Sequence, residues 1–364
     1  MKSSVSIATR TPARTATAFA SLGLTVVLAL AGCSADGTTY GDTNGAPSTG
    51  VYVIQNTPAP SSGSIAKVTS TTTATGTILQ FSTSASGAAT PVSTIANLNV
   101  TSLAFLAVDG TGDIYTTATE GTTGTSILEF PVNSSNNAQP TRSIPFNTTT
   151  GLTAMSGLAV DAAGDIYASN TTGGVSIFID TATGSVPPTS TVNTTSGAGP
   201  QATAVDPSGN LYIATATPTN STPIAPIEVF AAGATTPSRT LSGALTTLAI
   251  GSPQGLATDS ADNLYVANVV SGVSSILIFE PTATGNTPPL RDITGSDTLL
   301  GCVGGIALDN EGYLYVVSVP ICGSPASPTV LKFSTTGDGN ITPVATFTSS
   351  TWTNADPSLS IAVY

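Results

Sequence analysis

Five aspartates, Asp109, Asp161, Asp206, Asp259 and Asp309, each stand six residues before a tyrosine: Tyr115, Tyr167, Tyr212, Tyr265 and Tyr315. Recurrent carboxylates invite a calcium reading, most of all where a second aspartate follows, as Asp113 after Asp109 and Asp165 after Asp161. Their recurrence in step with a turn favours a structural duty instead, because aspartate bonds back to the backbone of the turn it opens. The chain contains no histidine. A histidine general base, a Ser-His-Asp triad and a histidine-ligated zinc are therefore excluded within one chain. Lysine offers little: Lys67 and Lys332 are the two that follow the amino-terminal segment. No residue is assigned a catalytic or metal-ligating role, and no cofactor is expected.

Binding is the chemistry left to consider. Five residues before the repeated aspartates stand Ser156, Gln201 and Gln254 among smaller or apolar residues. Neutral hydrogen-bonding groups there suit a sugar, a peptide or ordered water. The sole tryptophan, Trp352, falls in the segment SSTWTNADPS, where it serves either packing or recognition. Arg142, Arg239 and Arg291 each lie two residues after a proline and are expected to be solvated charges on outer strands. Cys302 lies seven residues before Asp309, and Cys322 seven after Tyr315. Folding the intervening hairpin about its turn places the two nearly opposite, so a disulfide is expected. Closing that loop of 20 residues contributes about 3 kcal/mol in the chain-entropy picture. The alternative, a metal or redox pair, is poor because two isolated thiols without histidine make a weak site.

The elements that must position these groups follow from one repeated phrase. It reads LAVDGTGDIYTTA from Leu106, LAVDAAGDIYASN from Leu158, TAVDPSGNLYIAT from Thr203, LATDSADNLYVAN from Leu256 and IALDNEGYLYVVS from Ile306. A sixth copy is split, with SIAVY at 360–364 supplying its front and GVYVIQN at 50–56 its back. After each tyrosine comes a second apolar run ending in Phe81, Phe130, Phe178, Phe230, Phe279 or Phe333. A proline follows ten residues later in five units, and seven residues later after Phe230, at Pro237. Each proline opens one more short strand. Asp-x-x-Gly, with Gly112, Gly164, Gly209 and Gly312, marks a tight turn ending in a left-handed residue, a place Asp262 takes in the fourth copy.

Six units of four antiparallel strands, with one unit shared between the two chain ends, predict an all-β, six-bladed β-propeller over residues 50–364. The C-terminal strand closes the N-terminal blade, and the tyrosine and phenylalanine columns pack between blades. An open β-solenoid could use the same repeats but would gain nothing from splitting one of them. Both variable connections emerge on one face of the ring and both constant hairpins on the other.

The phrase resembles the core of NHL-type repeats, and more loosely gluconolactonase-like and streptogramin-lyase-like propellers. Its aspartates are spaced by 52, 45, 53 and 50 residues, longer than the usual unit of roughly forty-odd. The resemblance implies the architecture and transfers no chemistry, since propellers carry function on their loops. Propeller enzymes of the streptogramin-lyase, paraoxonase and amidating-lyase kinds use histidines that this chain lacks. A gluconolactonase-like hydrolase with a carboxylate base and bound Ca²⁺ is the alternative that survives. It needs Asp, Glu and Asn converging on the central channel.

The chain begins with an address. Lys2, Arg10 and Arg14 precede an apolar run, 18–31, too short to span a bilayer, so residues 1–32 read as an export signal. Leu30-Ala31-Gly32-Cys33 resembles a bacterial lipobox, in which Cys33 becomes acylated; the alternative is an ordinary cleaved signal with a stray thiol. Residues 33–49 have no aliphatic run and read as a flexible tether. With the signal removed, five basic residues face twenty acidic ones, a net charge of −15. That field excludes nucleic acid as a partner and disfavours anionic lipid surfaces. The expected location is the bacterial cell envelope, with Cys33 the single link to the lipid bilayer. Ser34 favours the outer membrane in a Gram-negative cell, and otherwise the outside of the cell membrane. The expected role is a binding or scaffold module for a protein, peptide or glycan, acting through the variable loop face.

Overall fold

A computed structural model describes residues 49–57, 75–96, 100–120, 124–195, 199–215, 226–248, 253–320, 327–350, 352 and 360–364. All belong to one unit, Ala46–Tyr364. The export signal at 1–32, Cys33, the tether up to residue 48, and Cys322 lie outside the described residues.

The unit is a ring of six sheets. Blade 2 comprises Ser102–Val108, Ile114–Glu120, Gly124–Phe130 and Arg142–Pro145. Blade 3 comprises Met155–Val160, Ile166–Asn170, Val175–Phe178 and Ser190–Val192. Blade 4 has Pro200–Val205, Leu211–Thr215, Ile227–Phe230 and Arg239–Leu241, and blade 5 has Gly255–Thr258, Leu264–Val270, Val273–Phe279 and Arg291–Ile293. Blade 6 holds Cys302–Leu308, Tyr313–Val319, Thr329–Ser334 and Ala345–Ser349. Blade 1 draws its innermost strand, Ile361–Val363, from the end of the chain and continues with Val51–Thr57, Thr75–Phe81 and Ser93–Ile95.

The expected closure is present in register. Val51 pairs with Val363 and Val53 with Ile361, antiparallel. Gly50 and Tyr364 exchange both backbone bonds, at 3.2 and 3.1 Å. The innermost strand Ile361–Val363 touches the innermost strands of blades 2 and 6, so the ring has no gap.

Turn chemistry explains the constant hairpin. Gly112 N, Gly164 N, Gly209 N and Asp262 N donate back to the carbonyl of the aspartate three residues earlier. The fourth turn residue has φ between +82° and +90° in its glycine copies and +62° at Asp262. An added Cβ is tolerated there because aspartate is one of the few side chains that visits the left-handed region.

Alternation along the strands sends the tyrosine and phenylalanine columns into the spaces between blades. Each interface joins the tyrosine of one blade to the phenylalanine of the next: Tyr52 with Phe130, Tyr115 with Phe178, Tyr212 with Phe279, Tyr265 with Phe333 and Tyr315 with Phe81. The six phenylalanines are fully buried. Each contributes about 1.5–3 kcal/mol by leaving water. Tyr167 meets Phe230 between blades 3 and 4 in the smallest of the clusters, with five buried residues.

A second fastening, absent from the sequence reading, runs around the outside. The outer turn of a blade crosses to the outermost strand of the blade before it. Blade 1 lends Gly87–Ala89 to blade 6 as a parallel fifth strand, with Phe347 opposite Gly87. Single parallel bridges do the same at Ile95 with Asn136, Leu241 with Gly285 and Ile293 with Gly339. Between blades 2 and 3, Gly184 N donates to Ser143 O at 2.7 Å. No such crossing joins blades 3 and 4 among the described residues, where the turn after Phe230 is three residues shorter.

That interface has its own clamp. Glu228, 1% exposed, accepts Thr195 N at 2.9 Å and Thr195 Oγ1 at 2.9 Å, and Ser169 and Thr203 hydroxyls bond across the same gap. Glu228→Ala removes two hydrogen bonds to a buried carboxylate that tie blade 3 to blade 4. It is expected to cost about 2 kcal/mol, seen as a lower urea midpoint, while Glu311→Ala on an exposed turn stays within about 0.5 kcal/mol.

Candidate binding site

The repeated aspartate is consumed by its own hairpin. Oδ1 of Asp109 accepts Thr111 N, Thr111 Oγ1 and Asp113 N, and Oδ2 accepts the Tyr115 hydroxyl at 3.0 Å. Asp161, Asp259 and Asp309 repeat the pattern with Tyr167, Tyr265 and Tyr315. Asp206 takes Asn210 N on Oδ1, with Asn210 Nδ2 and the Tyr212 hydroxyl on Oδ2. Burial, reinforced by the neighbouring carboxylate, pushes the Tyr167 and Tyr265 phenols up to about 12 and those of Tyr115, Tyr212 and Tyr315 further. Each phenol therefore stays a donor throughout the physiological range.

The second aspartates are equally occupied. Oδ1 of Asp113 accepts Val132 N and Oδ1 of Asp165 accepts Asp180 N, tying the inner hairpin to the outer turn of the same blade. In blade 1, Tyr364 stands where the other copies have aspartate, and the buried Tyr52 hydroxyl has no partner among the described residues. Its phenol rises to about 12 through burial, with Tyr364 adding to it.

The arginines are not the solvated charges expected of them. Arg142 is 8% exposed; its Nε meets Glu129 at 2.7 Å, its Nη2 donates to Gly164 O of blade 3, and its guanidinium lies 5.5 Å over the Tyr115 ring. Arg239 Nη2 donates to the Tyr212 hydroxyl, and Arg291 Nη2 to the Tyr265 hydroxyl and, at 2.6 Å, to Thr335 O of blade 6. Lys332 does the same duty from a different strand, donating to Thr83 O of blade 1 and lying 5.0 Å from the Tyr315 ring. Outer-strand arginines alternate sides, and these turn back between blades because a buried phenol and carboxylate wait there.

Two cavities lie on the ring axis. The hairpin end holds one of about 300 Å³, lined by Val108, Val160, Val205 and Leu308 and by the repeated aspartates. Their carboxylates point into their own hairpins, and no group of three or more His, Cys, Asp or Glu able to hold a cation occurs among the described residues. The calcium-dependent alternative requires convergent oxygens that this arrangement does not bring together.

The loop end holds the other cavity, of about 100 Å³. Ser156, Gln201 and Gln254 line it together, as their common spacing from the aspartates predicts, above Leu106, Leu158, Leu256 and Ile306. Gln254 is exposed, Gln201 and Ser156 half-buried, and Ser156 Oγ donates to Ser169 O. No carboxylate is among its lining residues. The result is a neutral, hydrogen-bonding rim over an aliphatic floor.

Trp352 does not join this rim. It is 3% exposed and packs edge-on to Phe81 at 5.6 Å, with Phe347 at 6.1 Å. Of the two roles open to it, packing and recognition, its place is in the core between blades 6 and 1, because an indole beside two buried phenyl rings gains more there than in water. Cys302 heads the innermost strand of blade 6, half-buried; its expected partner Cys322 lies outside the described residues.

No family model and no curated protein sequence matches the chain. Among solved structures, a protein of unknown function from Bacteroides caccae aligns over 87% of this chain and 99% of that one, at 9% identity and a TM-score of 0.53. The WD40 repeats of RRP9 and the structure of U3-55K each align over 67% of this chain at 14% identity and a TM-score of 0.45. The alignment spans 62% and 63% of those two chains, less than two thirds of their length. The first of these likenesses supports the propeller fold and nothing beyond it.

Proposed function

We propose that the chain is a lipid-anchored binding propeller of the bacterial cell envelope, holding a protein, peptide or glycan at the loop end of its axis. One observation carries the reading: Ser156, Gln201 and Gln254 share a neutral rim at the loop-end mouth, whereas each repeated aspartate is saturated by its own turn. Amide and hydroxyl groups over an aliphatic floor recognise uncharged polar ligands by hydrogen bonds and exclude water beneath them. The sequence 30–33 and the tether behind it support acylation at Cys33, and export supports a Cys302–Cys322 disulfide.

The test is a thermal-shift screen of the detergent-purified protein against envelope glycans and peptides, with Ca²⁺ and EDTA as separate arms. A ligand of this site raises the melting temperature of the parent and loses at least about 90% of its affinity on Gln201→Ala with Gln254→Ala. A melting temperature that rises with Ca²⁺ and falls with EDTA, with no response to glycans or peptides, returns the hydrolase reading. Cys33→Ala is expected to move the protein from the membrane to the soluble fraction, checked by fractionation and palmitate labelling.

A further inference from the structure

The interface between blades 3 and 4 departs from the others at positions that face one another. Its short outer turn lacks the residues that cross elsewhere, where Asn136 N, Gly184 N, Gly285 N and Gly339 N donate at 2.6–2.9 Å to Thr94 O, Ser143 O, Thr240 O and Asp292 O. The matching acceptor in blade 3 is Thr191 O, and no described residue of blade 4 reaches it. Thr191 and Asn193 are exposed, whereas the five counterparts of Thr191 are half-buried. Blade 3 also has Ser190 where blades 2, 4 and 5 carry Arg142, Arg239 and Arg291. Tyr167 is thus the one repeated tyrosine with no cation against it among the described residues, and the one that is not fully buried. Between these groups lies a cavity of about 210 Å³ lined by Tyr167, Asp165, Ser190, Val192, Gly233 and Ala234.

We propose that this seam binds an extended, basic segment of a partner protein. The partner's main chain runs along Thr191 and Asn193 in place of the missing turn, and an arginine or lysine enters the cavity over the Tyr167 ring beside Asp165. The molecule itself displays the chemistry of the occupant. At five interfaces main chain of the following blade sits at this edge, as a three-residue strand at Gly87–Ala89 and as a single turn residue at Asn136, Gly184, Gly285 and Gly339, and four of the five repeated tyrosines hold a guanidinium or ammonium. Strand addition to an exposed edge supplies main-chain hydrogen bonds, and a cation over a phenol ring beside carboxylates supplies selectivity. Asp165 lines the cavity with Asp161 and Asp180 close to it, and burial, reinforced by these two charges and opposed by the Asp180 backbone bond and Arg142, holds the Asp165 carboxyl above its ordinary range, a cost that a bound cation relieves. The excess of acidic over basic residues draws cationic partners to the surface. This site lies on the side of the ring and does not depend on the loop-end reading.

Fluorescence anisotropy on the full-length protein tests it with two labelled nonapeptides. One is PTATGNTPP, residues 281–289, the turn that closes the next interface; the other is PTARGNRPP. The basic peptide is expected to bind at least about tenfold more tightly than the neutral one and to weaken as salt is raised. Ser190→Arg places the chain's own cation over Tyr167, and insertion of Thr-Gly-Asn after Gly233 restores the crossing turn. Each variant is expected to lose at least about 90% of the peptide affinity while its melting temperature holds or rises. A basic peptide that fails to bind, binds both variants as well as the parent, or binds no better than the neutral one overturns the proposal. So does a seam filled by a second copy of the chain, read as concentration-dependent dimerisation that Ser190→Arg abolishes.

Discussion

Asp206→Ala is expected to lower the free energy of unfolding by about 3–5 kcal/mol, the largest effect of any single side chain in the hairpin ring. Asp206 is 3% exposed. Its carboxylate accepts Asn210 N at 2.7 Å, Asn210 Nδ2 at 2.9 Å and the Tyr212 hydroxyl at 3.0 Å. Removing it strands a turn amide and a phenol that burial keeps protonated, and that phenol keeps only its contact with Arg239. Each bond to a charged acceptor is worth about 1.5–3 kcal/mol, and the buried donors left behind add their desolvation cost. The measurement is the urea midpoint of the variant beside Tyr212→Phe and the double variant. If the two groups act as one unit, Tyr212→Phe costs much less in the Asp206→Ala background than in the parent. Exposed Asp297→Ala serves as the control and stays within about 0.5 kcal/mol. The same series separates structure from ligation: a calcium role predicts that EDTA reproduces the loss in the parent, and a structural role predicts that EDTA leaves the parent unchanged.

The parts of this fold that could be read from residues alone are those governed by local rules. Asp-x-x-Gly turns and strict alternation act within about a dozen residues and announce hairpins and sidedness directly, and the two halves of the sixth copy announce ring closure because each matches half of a phrase already read five times. The loop-end rim was legible for the same reason: Ser156, Gln201 and Gln254 stand the same five residues before the aspartate in inner hairpins that pair in the same register, so counting back from the aspartate puts them at one end of the ring. What escaped depends on how neighbouring blades are rotated against each other. Arg142 two residues after a proline reads as an outer-strand charge, and nothing local says that its guanidinium turns inward to Glu129 and to a carbonyl of the next blade. Glu228 and Thr195 meet from 33 positions apart across an interface. Trp352, in a segment of small and polar residues, gives no periodicity that would separate an exposed indole from one buried against Phe81. A usable signal was present in one case: seven residues in place of ten between Phe230 and Pro237 marks the single interface without a crossing turn among the described residues.

Deletion of residues 360–364 is expected to abolish the native state rather than weaken it. These residues form the innermost strand of blade 1 and its contacts with blades 2 and 6 at once. Ile361 and Ala362 are 4% and 6% exposed, Ser360 Oγ accepts Leu106 N at 2.9 Å, and the Gly50–Tyr364 backbone pair is lost with them. What remains is the edge of Val51–Thr57, buried, hydrophobic and unpaired, the kind of strand that recruits other chains. Nearest-neighbour coupling in a closed repeat ring then removes two interfaces for one strand, so loss is cooperative and far exceeds the burial of three side chains. The expected readouts are high-mass aggregates on gel filtration and no cooperative urea transition. A rescue keeps the result interpretable. Moving Ser360–Val363 ahead of Val51 through the blade-4 turn, as SIAVDPSGNVYVIQN, makes blade 1 contiguous and is expected to restore a monomer with a cooperative transition. The inner strand then enters by a hairpin like those of the other five blades, whose strand pairings it copies. A truncated chain that stays monomeric and keeps its urea midpoint would show that the last strand does not close the ring.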